Sequence, residues 1–292
     1  MLAYITWTVD PAAFHIPVWG REIRWYALAF VAGLILATWI LSRIWKHEKL
    51  NPEWLDKLFI YVVVSLIIGL RLGHILFYDP VSYLKNPLEI FAIWHGGLAS
   101  HGGAIGILIG VWIYSKRISH KSMLWTLDRL VVPVGFVAAL VRLGNLMNHE
   151  IYGHPTNLPW AFRFIENISH YQAGSPPLFS PPSHPTQLYE ALIYILTGFL
   201  CLWMYWKRDD YKYPGLIFGV FLICIFLSRF FIEFLKNVQE SFEDNMVLDM
   251  GQLLSIPFIV AGIWLIYKGM KIKYSAKETE PIPAIVQAKK KA

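Results

Sequence analysis

Val141-Arg142-Leu143-Gly144-Asn145-Leu146-Met147-Asn148-His149-Glu150-Ile151-Tyr152-Gly153 closes an apolar run that starts near Leu124. It then fills abruptly with a guanidinium, amides, an imidazole and a carboxylate. At 1.5 Å per residue, Arg142 stands about 27 Å along a helix beginning at Leu124. A bilayer's hydrocarbon core is about 30 Å thick, so this arginine lies near the far face and still within it. An arginine at that depth costs a few kcal/mol and usually lines a functional polar cavity. The bland alternative is a snorkelling arginine at a helix end. Other intramembrane polar residues decide between the two.

The composition supports the membrane. The chain is 56% hydrophobic and only 16% charged, against about 25% charged residues in soluble globular domains. Met1 to Glu22 shows no basic start or short apolar core ahead of a cleavage site, so the first apolar run is expected to be retained as a span. Cys201 and Cys224 sit in apolar segments without metal-ligand spacing and read as packing residues. The net charge of +6 is distributed in a way that does not suggest nucleic acid.

Seven spans are expected at 24–44, 57–78, 98–115, 124–146, 186–206, 214–235 and 249–268, giving an all-α polytopic membrane fold. Lysine and arginine crowd the segments after the first, third, fifth and seventh. The opposite face holds only Arg21, Arg24, Lys85, Arg163 and Lys236. By the positive-inside rule the amino terminus lies outside and the carboxyl terminus in the cytoplasm. Residues 1–23 read as an amphipathic periplasmic arm carrying Trp7, Phe14, Ile16 and Trp19. The long 147–185 connection, with Trp160, Phe162, Phe164 and Tyr171, reads as a small folded cap within the 24–268 membrane domain. Pro185 suits the first turn of the fifth span. The 269–292 tail, with Lys289-Lys290-Lys291, reads as disordered and basic.

Placed by depth, the ionisable groups are one-sided. Tyr26, Arg71, His74, His101, Arg142, Asn145, Glu190, Arg229 and Glu233 fall in the outer half, whereas Asp128 and Arg129 lie near the inner face. A transport pathway calls for polar groups through the midplane; a site acting at one leaflet calls for this pattern. Arg229 and Glu233, four apart, share a helix face and could simply neutralise each other. Gly96-Gly97 and Gly102-Gly103 permit close approach of a ligand or of another helix. His101, among those glycines, is a candidate base, with an ordinary pKa of about 6.5. His149-Glu150 fails as a metalloprotease motif, because position 153 is glycine where the second histidine belongs. Arg142 and Arg229 are the side chains suited to gripping a phosphate bidentately.

These residues resemble the prolipoprotein diacylglyceryl transferases of bacterial inner membranes. Positions 142–153 are similar to that family's signature. Arg24-Trp25-Tyr26, Ser100-His101-Gly102-Gly103, His184-Pro185-Thr186-Gln187-Leu188-Tyr189-Glu190, Arg229-Phe230-Phe231-Ile232-Glu233-Phe234 and Met250-Gly251-Gln252-Leu253-Leu254-Ser255 match in the same order. Val141 stands where the signature usually has glycine, Ile225 where some members carry a tyrosine, and His95 where glutamine is frequent.

The resemblance implies transfer of the diacylglyceryl group from phosphatidylglycerol to the lipobox cysteine of a preprolipoprotein, with release of glycerol phosphate. It implies a membrane-embedded monomer that meets a signal peptide and a phospholipid, with no metal or other cofactor. On that reading His101, Arg142 and Arg229 are catalytic. Tyr26, Asn145, Asn148, Glu150, Gly153, Glu190 and Glu233 bind substrate or orient the arginines around one pocket. A lipid or solute transporter with an Arg–Glu gate, and a non-catalytic scaffold docking through the outer cap, are the competing readings.

Overall fold

The structure, a computed structural model, describes residues 4–16, 21–77, 79–92, 97, 99–237 and 248–279. His95, Trp19 and the basic end of the chain therefore lie outside the described residues. The chain divides into two compact units, Met1–Thr38 with Val131–Ala292, and Trp39–Leu130.

The fold is mostly helical. The long helices are α1 (Trp25–His47), α2 (Pro52–Phe77), α5 (Met123–Met147), α7 (Thr186–Trp206), α8 (Leu216–Glu233) and α9 (Met250–Thr279); α3 (Pro80–Lys85), α4 (Ser100–Tyr114) and α6 (Ile168–Gln172) are shorter. Among the described residues six helices, α1, α2, α5, α7, α8 and α9, are long and apolar enough to cross a bilayer. Their flanks leave Ile35, Phe199, Val260 and Ile263 more than half exposed, a surface suited to lipid and costly in water. The third expected span, 98–115, is α4, which has 15 residues before a π-helical turn at Ser115–Ser119. That is below the ~20 residues an untilted span needs. At the far end, α9 continues to Thr279, so the first part of the expected disordered tail is helical.

In the Trp39–Leu130 unit, α4 lies backbone-to-backbone on α2. A Cβ placed on Gly102 would fall 2.1 Å from the Gly69 carbonyl oxygen, and one on Gly106 2.2 Å from that of Ser65. Small residues allow this approach, so Gly102 is committed to helix packing. Arg71 of α2 is buried and donates to the carbonyls of Glu89, Ile90 (3.0 Å), Ala92 (3.2 Å) and Gly97 (3.3 Å). It thereby clamps the segment leading into α4. Arg129 is a structural group here: it pairs with Glu48 Oε2 at 2.7 Å and stacks over Trp125.

In the other unit the expected arm and cap are one body built partly of strands, so the fold departs from all-α. Strand β1 (Tyr4–Thr6) pairs in parallel with β4 (Ala161–Arg163), while β2 (Ala12–Ile16) and β3 (Arg21–Arg24) form an antiparallel pair. Leu146, Phe162 and Phe164 make the cap's core, covered by Trp7, Tyr152 and Leu188. Tyr152 stacks on Phe164 at 4.7 Å, and the Trp7 indole N–H donates to the Leu146 carbonyl at 3.1 Å. Trp7 is thus held by the cap, while Phe14 stays exposed as an interfacial residue would.

Candidate functional site

The end of α5 shapes the 142–153 stretch. The His149 N–H returns to the Leu146 carbonyl at 3.1 Å and the Glu150 N–H to that of Asn145 at 3.2 Å. His149 sits at φ +59°. This is a Schellman closure with histidine in the left-handed position that usually takes glycine. Its ring compensates: Nε2 contacts the Val9 carbonyl at 2.8 Å and Nδ1 accepts the Ile165 N–H at 3.1 Å. The closure turns Glu150 back over the helix end, where its Oε1 accepts from the amides of Asn145 (2.8 Å) and Asn148 (3.1 Å). Asn145 in turn accepts from Arg142 Nη1 at 3.3 Å.

Two other helices bring charges to Arg142. Glu190, on the second turn of α7, is fully buried and lies 2.9 Å from Arg142 Nε, a contact that is an ion pair without the alignment of a hydrogen bond. Its other oxygen accepts from Lys236 Nζ at 3.0 Å and from the Tyr194 hydroxyl at 3.4 Å. Lys236 also reaches Glu233 Oε2 at 3.2 Å, and Glu233 lies 3.9 Å from Arg229 Nε. The result is one chain of charges, Arg142–Glu190–Lys236–Glu233–Arg229. Its middle is closed and its ends are open: the side chain of Glu190 is 0% exposed, Lys236 3% and Glu233 10%, against 15% for Arg142 and 32% for Arg229. Arg229 is the more exposed of the two ends.

The glycines of the matching motifs have steric reasons. A Cβ on Gly153 would lie 2.1 Å from the Leu235 carbonyl oxygen, and one on Gly251 2.6 Å from the Glu233 carboxyl carbon. At the first of these, the His154 N–H donates to the Leu235 carbonyl at 2.8 Å, and the chain just after α8 is bridged to Gly153. The beginning of α7 caps the same segment, with Thr186 Oγ1 donating to the Ile151 carbonyl at 2.8 Å and Gln187 to that of Glu150 at 2.6 Å. Tyr26 packs on Gly144, where a Cβ would lie 2.8 Å from its ring.

Arg142, Asn145, Asn148, Glu150, Glu190, Arg229 and Glu233 are thus joined by direct contacts, with Gly153 and Tyr26 packed beside them. His101 stands in the first turn of α4, in the other unit. The sequence reading missed Lys236, counted there as a loop lysine, and Tyr194. The signal for Lys236 was its i, i+3 spacing from Glu233. Ile225, where a tyrosine stands in some members of the resembled family, packs against the buried cluster of Ala139, Ala191 and Tyr194.

Outside the spans, two histidines titrate low. Burial pushes His149 below the ordinary imidazole value, against the Val9 hydrogen bond and Asp10, which favour its charged form. Burial, then His154, lowers His184.

A mostly helical chain with several helices apolar enough to cross a bilayer, and three cations held against two carboxylates beside them, is as a class a polytopic integral membrane protein. The comparisons narrow this. The profile of the prolipoprotein diacylglyceryl transferase family matches residues 11–268, and the chain belongs to that family. A phosphatidylglycerol–prolipoprotein diacylglyceryl transferase of Porphyromonas gingivalis is 55% identical over 275 residues, covering 92% of this chain and 96% of the relative. Proteins of the same name from Chloroherpeton thalassium (41% identical; 92% and 96% covered) and Tolumonas auensis (38%; 91% and 98%) are also similar.

Proposed function

We propose that the chain transfers the diacylglyceryl group of phosphatidylglycerol to the lipobox cysteine of a preprolipoprotein, releasing glycerol phosphate. The observation that carries this reading is the ion-paired cluster of Arg142, Glu190, Lys236, Glu233 and Arg229, whose five formal charges sum to one positive, with Glu150 reaching Arg142 only through the Asn145 amide. A phosphodiester monoanion would balance it. The transporter reading has no comparable support, since the family and its relatives are transferases.

In the reaction the cysteine thiolate attacks the glyceryl carbon. A C–S bond forms, the C–O bond to phosphate breaks, and its electron pair leaves on the phosphate oxygen. Arg142 and Arg229 stabilise that growing negative charge in a low-dielectric setting. Asn145 and Glu150 hold Arg142 in place, and Glu190 and Glu233 orient both arginines. Asn148 supports Glu150, Tyr26 positions the headgroup, and Gly153 lets the chain after α8 close on the site. The thiol, with a free pKa of about 8.5, has to lose its proton; His101, in the first turn of α4, is the base assigned to that step.

On this proposal α4 with its π turn is the third of seven spans, the amino terminus faces the periplasm, and the protein works as a monomer in the bacterial inner membrane. The test is to incubate purified protein with phosphatidylglycerol vesicles and a lipobox peptide. Glycerol phosphate is expected only with the cysteine-containing peptide. Its absence from folded protein, or equal release with a Cys→Ser peptide, overturns the transfer.

A further inference from the structure

Lys236 is used by none of the steps above, yet it is the most central charge in the cluster. Its side chain is 3% exposed and bonds one carboxylate on α7 and another on α8. A buried lysine is tolerated only when its charge is matched, and here one ammonium meets two carboxylates. Without it, Glu190 and Glu233 would have only Arg142 and Arg229 as counter-ions. The cluster would then be neutral, and both guanidiniums would be held by the protein's own acids. With it, the sum is one positive charge. Arg229 Nε stays 3.9 Å from Glu233, and its terminal nitrogens have no hydrogen-bond partner among the described residues.

Backbone geometry places Lys236 on purpose-built ground. Its own N–H donates to the Glu233 carbonyl at 3.0 Å. The strand-like bridge from Lys236 to Gly153 fixes it against the end of the signature stretch, and the Asn237 amide donates to the Gly153 carbonyl at 3.1 Å. The absence of a side chain at Gly153 is what lets Leu235 lie close enough for this. The signature glycine and the buried lysine are two halves of one arrangement.

We infer that Lys236 is a positioning residue of the transfer site: it neutralises Glu190 and Glu233 so that Arg142 and Arg229 present net positive charge to the phosphodiester. The inference rests on the proposed transfer. It concerns recognition of the anionic lipid and leaves the cysteine untouched.

The test compares wild type, Lys236→Met, Lys236→Arg and Lys236→Met/Glu233→Gln, all as full chains in vesicles. Lys236→Met is expected to raise the KM for phosphatidylglycerol by about tenfold or more, the worth of one charge-assisted contact. The KM for the peptide should stay unchanged. Lys236→Arg, which keeps the charge, should recover most of the loss. Lys236→Met/Glu233→Gln restores the single positive charge and should recover part of the loss, the remainder being the orientation that Glu233 gives Arg229. A lysine with a merely structural role would instead lower Tm and the active fraction, leaving the lipid KM alone. An unchanged lipid KM in folded Lys236→Met, or a raised one that Glu233→Gln does not lower, overturns the inference.

Should Lys236→Met fail to fold, Lys236→Gln, which removes the charge and keeps an amide donor for the two carboxylates, replaces it, and a raised lipid KM is again required. Native mass spectrometry of retained phosphatidylglycerol gives the same ordering without turnover. A wild type that binds the lipid but releases no glycerol phosphate therefore counts against the transfer reading alone.

Discussion

Arg142→Lys keeps the charge at one end of the cluster and removes the fork. In the structure Arg142 serves two partners at once, Glu190 through Nε at 2.9 Å and Asn145 through Nη1 at 3.3 Å. A single ammonium on a shorter reach cannot meet both and still face a phosphate. Asn145 is 5% exposed, so its carbonyl oxygen would lose its donor away from water. Losing one charge-assisted hydrogen bond costs about 1.5–3 kcal/mol, which converts to roughly a ten- to hundredfold fall in kcat/KM. The assay is glycerol phosphate release from phosphatidylglycerol vesicles with a lipobox peptide. Membrane insertion and Tm are followed in parallel, since Glu190 keeps a cation on each side. Turnover within about twofold of wild type in inserted protein would refute the reasoning, because a loss of even 1 kcal/mol exceeds that.

Three further outcomes are expected. Gly153→Ala puts a methyl 2.1 Å from the Leu235 carbonyl oxygen; the chain after α8 has to move, and the lipid KM should rise as it does in Lys236→Met, which steady-state kinetics will show. Arg71→Met removes the donor that holds the carbonyls of Glu89, Ile90, Ala92 and Gly97, so limited proteolysis should cut between 86 and 99 faster than in wild type; an unchanged digestion pattern would deny the clamp.

The third concerns pH. Because Nδ1 of His149 accepts the Ile165 N–H and Nε2 faces the Val9 carbonyl, folding favours the neutral ring, in line with its lowered pKa. Below about pH 6.5 the unfolded state takes up a proton that the folded state resists, so stability is full above that value and falls as pH drops through it. Tm should decline between pH 7.5 and 5.5, less steeply in His149→Gln; parallel declines would remove His149 from the effect.

The spans were legible because long apolar runs admit one structure in a bilayer: α1, α2, α5, α7 and α8 begin and end close to the expected residues, and α9 begins there but runs on to Thr279. The shortness of α4 was not, since its glycines continue the apolar pattern while the turn that ends it depends on packing. The arm was read as a lone amphipathic piece because Tyr4–Thr6 finds its partner strand only at Ala161–Arg163, a pairing no local pattern encodes. In the site, Arg142, Glu190, Arg229 and Glu233 stood out as charges inside apolar helices. Lys236 did not: it follows the end of α8, and its Glu190 partner is 46 residues away in sequence. Gly153 was recognisable by motif alone; its reason, the Leu235 carbonyl, is tertiary.

A structure of the protein with phosphatidylglycerol bound puts the central claim to its hardest trial. The phosphate should lie within about 3 Å of guanidinium nitrogens of both Arg142 and Arg229, with Lys236 still between Glu190 and Glu233. A phosphate held elsewhere, over a cluster closed upon itself, would contradict the account.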